Sequence, residues 1–212
     1  MERKNIGIID YGYGNLFSLE KALAYLGARA KILKTPKAVG NMQALIVPGV
    51  GAFGEGIQEL RRRGFEVPIL SHARTGKPLL GICLGMQFLF DYSEEFGVHK
   101  GLGLIPGSVK LISPKSGYKV PHVGWNAVRI PQSRKNWRGS FFDGIPAKKH
   151  VYFVHSYAGI PREKKDILAE VEYGGSRVVA AVERGRISGA QFHPEKSGET
   201  GLALLRNFLK NA

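Results

Sequence analysis

Cys83, the only cysteine in the 212-residue chain, lies between two glycines in the pattern Gly81-x-Cys83-x-Gly85. The apolar run before it predicts a buried strand and the residues after it predict a helix, so Cys83 is placed in a sharp strand-to-helix turn. Glycines two residues away on either side avoid side-chain collisions in such a strained turn. A helix N-terminus also favours the thiolate over the thiol, whose ordinary pKa is about 8.5. The pattern predicts a nucleophile, although a lone cysteine is more often a small buried hydrophobe.

A second pair of chemically capable residues, His193 and Glu195, follows the apolar stretch 187–192. Side chains two residues apart in an extended segment point the same way, so the carboxylate is expected to hold the imidazole in one tautomer. The alternative is a solvent-exposed pair in a loop. Because ligands and catalytic groups of open α/β sheets gather at the carboxyl ends of strands, the shared position of Cys83 and His193 after strands favours a common site.

A glycine-containing loop, Pro48-Gly49-Val50-Gly51, follows another predicted strand. Glycines allow backbone N–H groups to face a developing oxyanion. An ordinary turn has the same composition, so this loop is weak evidence when taken alone.

The elements that must position these residues alternate between strand and helix in the first half of the chain, which predicts a doubly wound, mostly parallel central sheet flanked by helices. After about residue 105, short β-rich stretches predict an additional antiparallel portion, and helical periodicity returns only near the end. We expect a single domain over 1–212. The predicted strands are the apolar run from Pro78 to the turn at Cys83, and 5–9, 30–33, 44–47, 108–112, 127–130, 151–154, 167–171, 178–183 and 187–192. The predicted helices are 16–26, 53–63, a helix after Cys83, and 200–209.

Composition narrows the classes of function. One cysteine excludes a disulfide framework and a multi-cysteine zinc site, and it fits a reducing compartment. Met1–Lys4 leads directly into a strand-like segment, and no apolar run spans a bilayer, so we expect a cytoplasmic protein without a membrane role. The net charge is +14, but the basic residues are scattered in short groups. A solvated face or a docking surface for an acidic partner is favoured over nucleic-acid binding.

The combined motifs resemble those of the class I (triad) glutamine amidotransferases. The resemblance is carried by the segments 81–87 and 191–195. Two further segments, Asp10-Tyr11-Gly12-Tyr13-Gly14-Asn15 and Pro121-His122-Val123-Gly124-Trp125-Asn126, are similar to those of the glutaminase subunits of imidazole glycerol phosphate synthases. The tail 195–198 is similar as well, and Val123 is the one departure, where relatives often carry methionine.

The resemblance implies roles for individual residues. Cys83 would attack the carboxamide of L-glutamine, His193 would carry the proton, and Glu195 would orient His193. The substrate would contact Gln87, Glu95, Ser156 and Tyr157, and the oxyanion would be bound by backbone N–H groups of Leu84 and of the loop at Val50 and Gly51. The resemblance also implies that this loop peptide reorients when the partner binds its ligand.

The resemblance also implies a partner, a (β/α)8-barrel cyclase subunit that forms a heterodimer with the glutaminase and receives its ammonia. Asn15, His122 and Trp125 would face this partner, and the alternatives are turn chemistry for Asn15 and core packing for Trp125. Neither a metal nor an organic cofactor is implied.

Other functions remain as alternatives to this interpretation. A dinucleotide site at Gly12-x-Gly14 is rejected because Phe17 stands where the third glycine belongs. A cysteine peptidase shares the Cys–His chemistry but does not explain Gln87, Glu95 or the Trp125 segment. Two further alternatives remain. One is a catalytically silent basic scaffold or nucleic-acid binder, and the other is a glutaminase that serves another acceptor synthase.

Overall fold

The computed structural model of the chain describes residues 5–115 and 117–212. Residues 1–4, on which part of the expectation about a leader rests, lie outside the described residues. The helices are α1 Leu16–Tyr25, α2 Phe53–Arg62, α3 Glu66–Arg74, α4 Leu84–Gln87 and α5 Gly198–Asn211. The strands are β1 Asn5–Ile9, β2 Arg29–Leu33, β3 Ala44–Val47, β4 Leu79–Ile82, β5 Phe90–Ser93, β6 His99–Lys100, β7 Ile105–Leu111, β8 His122–Ala127, β9 His150–His155, β10 Tyr157–Pro161, β11 Ile167–Tyr173, β12 Ser176–Arg184 and β13 Ile187–Ala190.

The central sheet has seven strands in the order β11-β12-β13-β4-β3-β1-β2. The five strands from β13 to β2 run parallel, and β12 and β11 extend the sheet antiparallel at one edge. Because β1 lies between β2 and β3, the connections reverse direction at this point of the sheet. Loops at the carboxyl ends of strands beside such a reversal form the usual ligand crevice of an open α/β fold.

The inner parallel strands β3 and β4 are apolar and buried on both faces, as a sheet covered by helices on each side requires. On one face, Ile46 and Leu80 pack with residues of α1 and α5. On the other face, Leu45 and Val47 pack with residues of α2, α3 and α4. This alternation along β3 places the two helical layers on opposite sides of the sheet.

Two smaller sheets complete the fold on the side of the carboxyl edge. One has four strands in the order β10-β7-β5-β6, and the other is the antiparallel pair of β8 and β9. The prediction of a mostly parallel doubly wound sheet with an added antiparallel portion is therefore confirmed.

Several elements differ from the prediction. The strand predicted over 127–130 is wrong: β8 ends at Ala127, and beyond it Arg129 forms only an isolated bridge with Glu170. The stretch 122–126 does not read as a strand because its apolar residues Val123 and Trp125 are exposed and alternate with histidine, glycine and asparagine. Helix α3 was not predicted, because Pro68 interrupts its pattern; proline is tolerated there because it lies in the first turn. Over the described residues, no helix is long and apolar enough to cross a membrane.

Candidate active site

The turn between β4 and α4 forces Cys83 into a left-handed backbone conformation, with φ 53° and ψ −109°. The surrounding backbone is packed so closely that the flanking glycines are obligatory. A Cβ atom on Gly85 would lie 1.8 Å from the carbonyl oxygen of Val47, and one on Gly81 would lie 2.5 Å from the carbonyl oxygen of Gly85. The predicted elbow is therefore present, and it places the thiol at the N-terminus of α4.

His193 and Glu195 form the predicted imidazole–carboxylate pair. Nδ1 of His193 lies 2.8 Å from Oε1 of Glu195, and both side chains are buried. Burial lowers the pKa of His193, but the neighbouring Cys83 sulfur and the hydrogen-bonded Glu195 carboxylate raise it to about 10. The imidazole is thus suited to carry a proton beside a thiolate, which is the arrangement that activates a cysteine nucleophile.

Adjacent strands bring the nucleophile and the base together. Residue 190 of β13 pairs with residue 82 of β4, and the Cys83 N–H donates to the carbonyl of Ala190 at 2.7 Å. The next residue, Gln191, is fully buried, and its Nε2 lies 3.8 Å from the Cys83 sulfur. The sulfur and the imidazole therefore leave the sheet at the same level of its carboxyl edge.

A cavity of about 290 Å³ opens at Cys83. Every residue that the sequence suggested for glutamine or oxyanion binding lines it, a convergence that spacing along the chain could not establish. The lining residues are Val50, Gly51, Cys83, Leu84, Gln87, Glu95, Pro121, Val154, His155, Ser156 and Tyr157. The volume suits a ligand the size of an amino acid.

The cavity-lining side chains of Gln87 and Glu95 are held by hydrogen bonds within the protein. Nε2 of Gln87 donates to the carbonyl of Tyr157 at 2.9 Å and to Oε1 of Gln191 at 3.2 Å. Oε2 of Glu95 accepts from the Phe53 N–H at 2.6 Å, at the start of α2. These bonds fix a carboxylate and an amide in the cavity wall, where they are suited to bind a polar amino-acid ligand.

The oxyanion loop is in a conformation that blocks its predicted role. The Leu84 N–H, expected to bind the oxyanion, donates instead to the carbonyl of Gly49 at 3.3 Å. Gly51 has φ +99°, which only glycine adopts readily, and Val50 is exposed at the cavity rim. In this conformation one of the two suggested donors is already occupied by the loop itself.

The residues suggested for a partner surface separate into two groups. Asn15 is exposed and caps α1 by accepting from the Ser18 N–H at 3.4 Å, which is the turn chemistry considered for it. Trp125 is 55% exposed, so the alternative of core packing is wrong. His122, by contrast, is only 2% exposed, so its side chain does not face outward and cannot contact a partner as the resemblance implied.

Three residues around the cavity were not singled out from the sequence. Gln191 contacts both Cys83 and Gln87, and His155 and Val154 line the cavity. In the sequence, only the positions of these residues at the ends of predicted strands could have indicated a role in the site. The register of β9 against β8, which brings His155 to the cavity, could not be predicted from the sequence. Among residues 5–115 and 117–212, no group of three or more His, Cys, Asp or Glu side chains is arranged to hold a metal ion.

Comparison with known proteins gives one consistent result. The family described as glutamine amidotransferase class-I matches residues 7–212. The chain is 42% identical over 211 residues to "Imidazole glycerol phosphate synthase subunit HisH 1" of Legionella pneumophila (strain Lens), covering 97% of this chain and 99% of that relative. It is 48% identical over 205 residues to the HisH subunit of Desulfitobacterium hafniense (strain DSM 10664 / DCB-2), covering 97% and 93%.

A plant relative and a solved structure extend the comparison. "Imidazole glycerol phosphate synthase hisHF, chloroplastic" of Arabidopsis thaliana is 43% identical over 205 residues, which cover 96% of this chain and 34% of that longer protein. A crystal structure described as a glutamine amidotransferase has a TM-score of 0.73 at 20% identity, covering 97% of each chain, and it supports the fold alone. The elbow cysteine, the buried His–Glu pair and this set of relatives lead to one conclusion: the chain belongs to the class I glutamine amidotransferases and, among them, to the family of imidazole glycerol phosphate synthase HisH subunits.

Proposed function

We propose that the chain hydrolyses L-glutamine to glutamate and ammonia through a thioester on Cys83. The observation that carries this proposal is the buried His193–Glu195 pair, which meets the elbow cysteine where two adjacent parallel strands end. A thiol nucleophile beside a base that is itself oriented by a carboxylate is the arrangement required for acyl transfer. The amino-acid-sized cavity at the sulfur supports glutamine as the substrate.

In the proposed reaction, Cys83, His193 and Glu195 each have a separate role. The Cys83 sulfur, as thiolate, forms a bond to the carboxamide carbon of glutamine. When the tetrahedral intermediate collapses, the C–N bond breaks and His193 donates its proton to the leaving nitrogen, which departs as ammonia. The neutral imidazole then removes a proton from water, which attacks the thioester and releases glutamate. Glu195 holds the imidazole through Nδ1 during both proton transfers.

Gly49 gates this reaction. The Leu84 N–H can bind the oxyanion only if the Gly49 carbonyl leaves it, and turning the Gly49–Val50 peptide over would also bring the Val50 N–H to the site. Loss of one oxyanion donor costs about 10²–10³ in rate, so the conformation described here is that of a slow enzyme. We infer that a partner protein releases the block.

The partner we propose is a (β/α)8-barrel cyclase subunit, which receives the ammonia and makes imidazole glycerol phosphate and aminoimidazole carboxamide ribonucleotide. The names of the relatives, which are subunits of one synthase, support this assembly. Exposed Trp125 and Asn15 are the surface residues proposed to contact it. We further propose a single domain and a cytoplasmic location, where the reduced thiol that the reaction needs is maintained.

Substituting the nucleophile tests the proposal. In the complex with a cyclase subunit, Cys83→Ala is expected to abolish glutamine-dependent turnover and to leave ammonia-dependent turnover intact, because ammonia bypasses the glutaminase site. The measurement is the rate of imidazole glycerol phosphate formation with each nitrogen donor. Equal loss of both activities would contradict this division of labour.

A further inference from the structure

Two buried histidines beside the cavity have no task in the reaction above. The register of the β8–β9 pair places His122 directly opposite His155, and Nδ1 of His122 lies 3.1 Å from Nε2 of His155. Their exposed fractions are 2% and 6%. Polar groups buried to this extent are normally retained in defined hydrogen bonds, so the pair calls for a physical explanation.

The hydrogen bonds of the pair determine where each proton lies. Nδ1 of His155 is 2.9 Å from the carbonyl oxygen of Tyr157, which can only accept, so this nitrogen carries the hydrogen. Burial, together with the charges of His122 and His193, outweighs the bond to Tyr157 and lowers the pKa of His155 to about 4, and burial lowers that of His122 to about 4. Both rings are therefore neutral near pH 7, with one N–H each.

The hydrogen bond between the two rings also fixes the proton of His122. Because Nδ1 of His155 is the donor, its Nε2 is an acceptor, and Nδ1 of His122 must donate to it. Nε2 of His122 is left as an acceptor, 3.5 Å from Nδ2 of Asn126. That amide is oriented by a second bond, in which Nδ2 donates to the carbonyl of Glu172 at 2.8 Å.

Inward, the chain of bonds ends on the wall of the glutamine cavity. The carbonyl of Tyr157 accepts from His155 and also from Nε2 of Gln87, which in turn contacts Gln191. The neighbouring carbonyl of Ser156 accepts from the Ile112 N–H at 2.9 Å. The backbone at 156–157 is thus held from two sides, and the histidine pair supplies one of them.

We propose that His122 and His155 are positioning residues, a neutral pair with both protons on Nδ1, that holds the 156–157 backbone in the geometry that binds glutamine. The inference rests on the proposed function, since it assigns glutamine as the ligand of this wall. Both ring nitrogens of His155 are engaged within the protein, so His155 does not exchange protons with the substrate. The pair supports binding of substrate and transition state alike.

The central test replaces His122, which donates the hydrogen bond within the pair, by a residue of similar shape. His122 stacks on Phe153 at 4.7 Å and on Tyr173 at 4.0 Å between ring centroids, so His122→Phe retains a flat ring there. The variant loses the N–H toward His155 and the acceptor that faces Asn126. His122→Asn keeps a donor near the position of Nδ1. His150→Phe, at the exposed start of β9, is the matched control.

Kinetics of glutamate release by the chain in complex with a cyclase subunit give the readout. His122→Phe is expected to raise KM for glutamine about fivefold to thirtyfold, the equivalent of one lost buried hydrogen bond, with kcat unchanged. His122→Asn should recover most of the loss, and His150→Phe should match the unsubstituted protein. A fall in kcat with KM unchanged, or no recovery with asparagine, would overturn the proposal.

A second measurement does not depend on activity or on the folding of a variant. ¹⁵N NMR of the histidine rings in the unsubstituted chain reports which nitrogen carries each proton. We expect Nδ1–H on both His122 and His155 at pH 7, and an Nε2–H or a charged ring at either position would overturn the proposal. If the complex releases no glutamate at all, the proposed function fails, while the ring protonation still decides whether the pair exists as described.

Discussion

Three requirements coincide at Cys83: a strained backbone, a helix N-terminus and a base within reach. The spacing of glycines indicated the first two, and the two-residue separation of His193 and Glu195 indicated the third. Gln191 and the histidine pair could not be assigned in the same way, because their contacts depend on how β13 meets β4 and how β8 meets β9. Residues in local motifs were predictable, whereas residues whose role comes from cross-strand register were not.

The orienting carboxylate gives a prediction at this scale. Glu195→Gln keeps the shape of the side chain but no longer stabilises the imidazolium or fixes its tautomer, so kcat for glutamine hydrolysis should fall by roughly 10²–10⁴. Glu199→Gln, an exposed acid in the first turn of α5, is the control. The measurement is the rate of glutamate release by both variants in the complex. Equal rates for the two variants would show that Glu195 has no role in the reaction.

Among the elements, the β8–β9 pair contributes most to the site beyond what the sequence indicated. Its inner face supplies His122 and His155, while Trp125 on its outer face is exposed. The strand was misplaced because its alternation of buried and exposed residues includes histidine, glycine and asparagine rather than aliphatic side chains. Strand β3 was placed at its observed position, and the continuous apolar run before Cys83 correctly indicated the strand β4.

Burial of the histidine pair predicts a pH-dependent stability. The pKa of each ring falls from about 6.5 in the unfolded chain to about 4 in the native state, so the native protein binds fewer protons between these values. The stability contributed by the neutral pair is therefore complete above pH 6.5 and is lost as pH falls toward 4. From pH 7 to pH 5 we expect a loss of up to about 2 kcal/mol for each histidine.

Urea unfolding at pH 7 and pH 5 checks this expectation. His122→Phe should lose less stability than the unsubstituted protein over this interval, because one titrating group is gone, and His150→Phe should lose as much. The same loss in all three proteins would show that the acid sensitivity arises elsewhere in the fold.

For the whole molecule, the arrangement of the sheets explains both the fold prediction and its gaps. Alternating strands and helices predicted the parallel sheet, and this sheet brings the loops after β1, β3, β4 and β13 to one edge. The pairing of the later strands into two further sheets involves contacts between distant parts of the chain, which no local pattern encodes. Those sheets supply the second wall of the cavity, so the complete pocket required the structure.

Attack of Cys83 on glutamine, in a site that a partner activates, is tested most directly by covalent labelling of the thiol. A glutamine analogue carrying a chloroketone in place of the carboxamide is incubated with the chain, alone and in complex with a cyclase subunit and its nucleotide, and the alkylated peptide is mapped by mass spectrometry. We predict one label per chain, on Cys83, blocked by excess glutamine and formed about 10²–10³ times faster in the activated complex. Loss of activity with Cys83 unlabelled, or labelling at the same rate without the partner, would contradict the account.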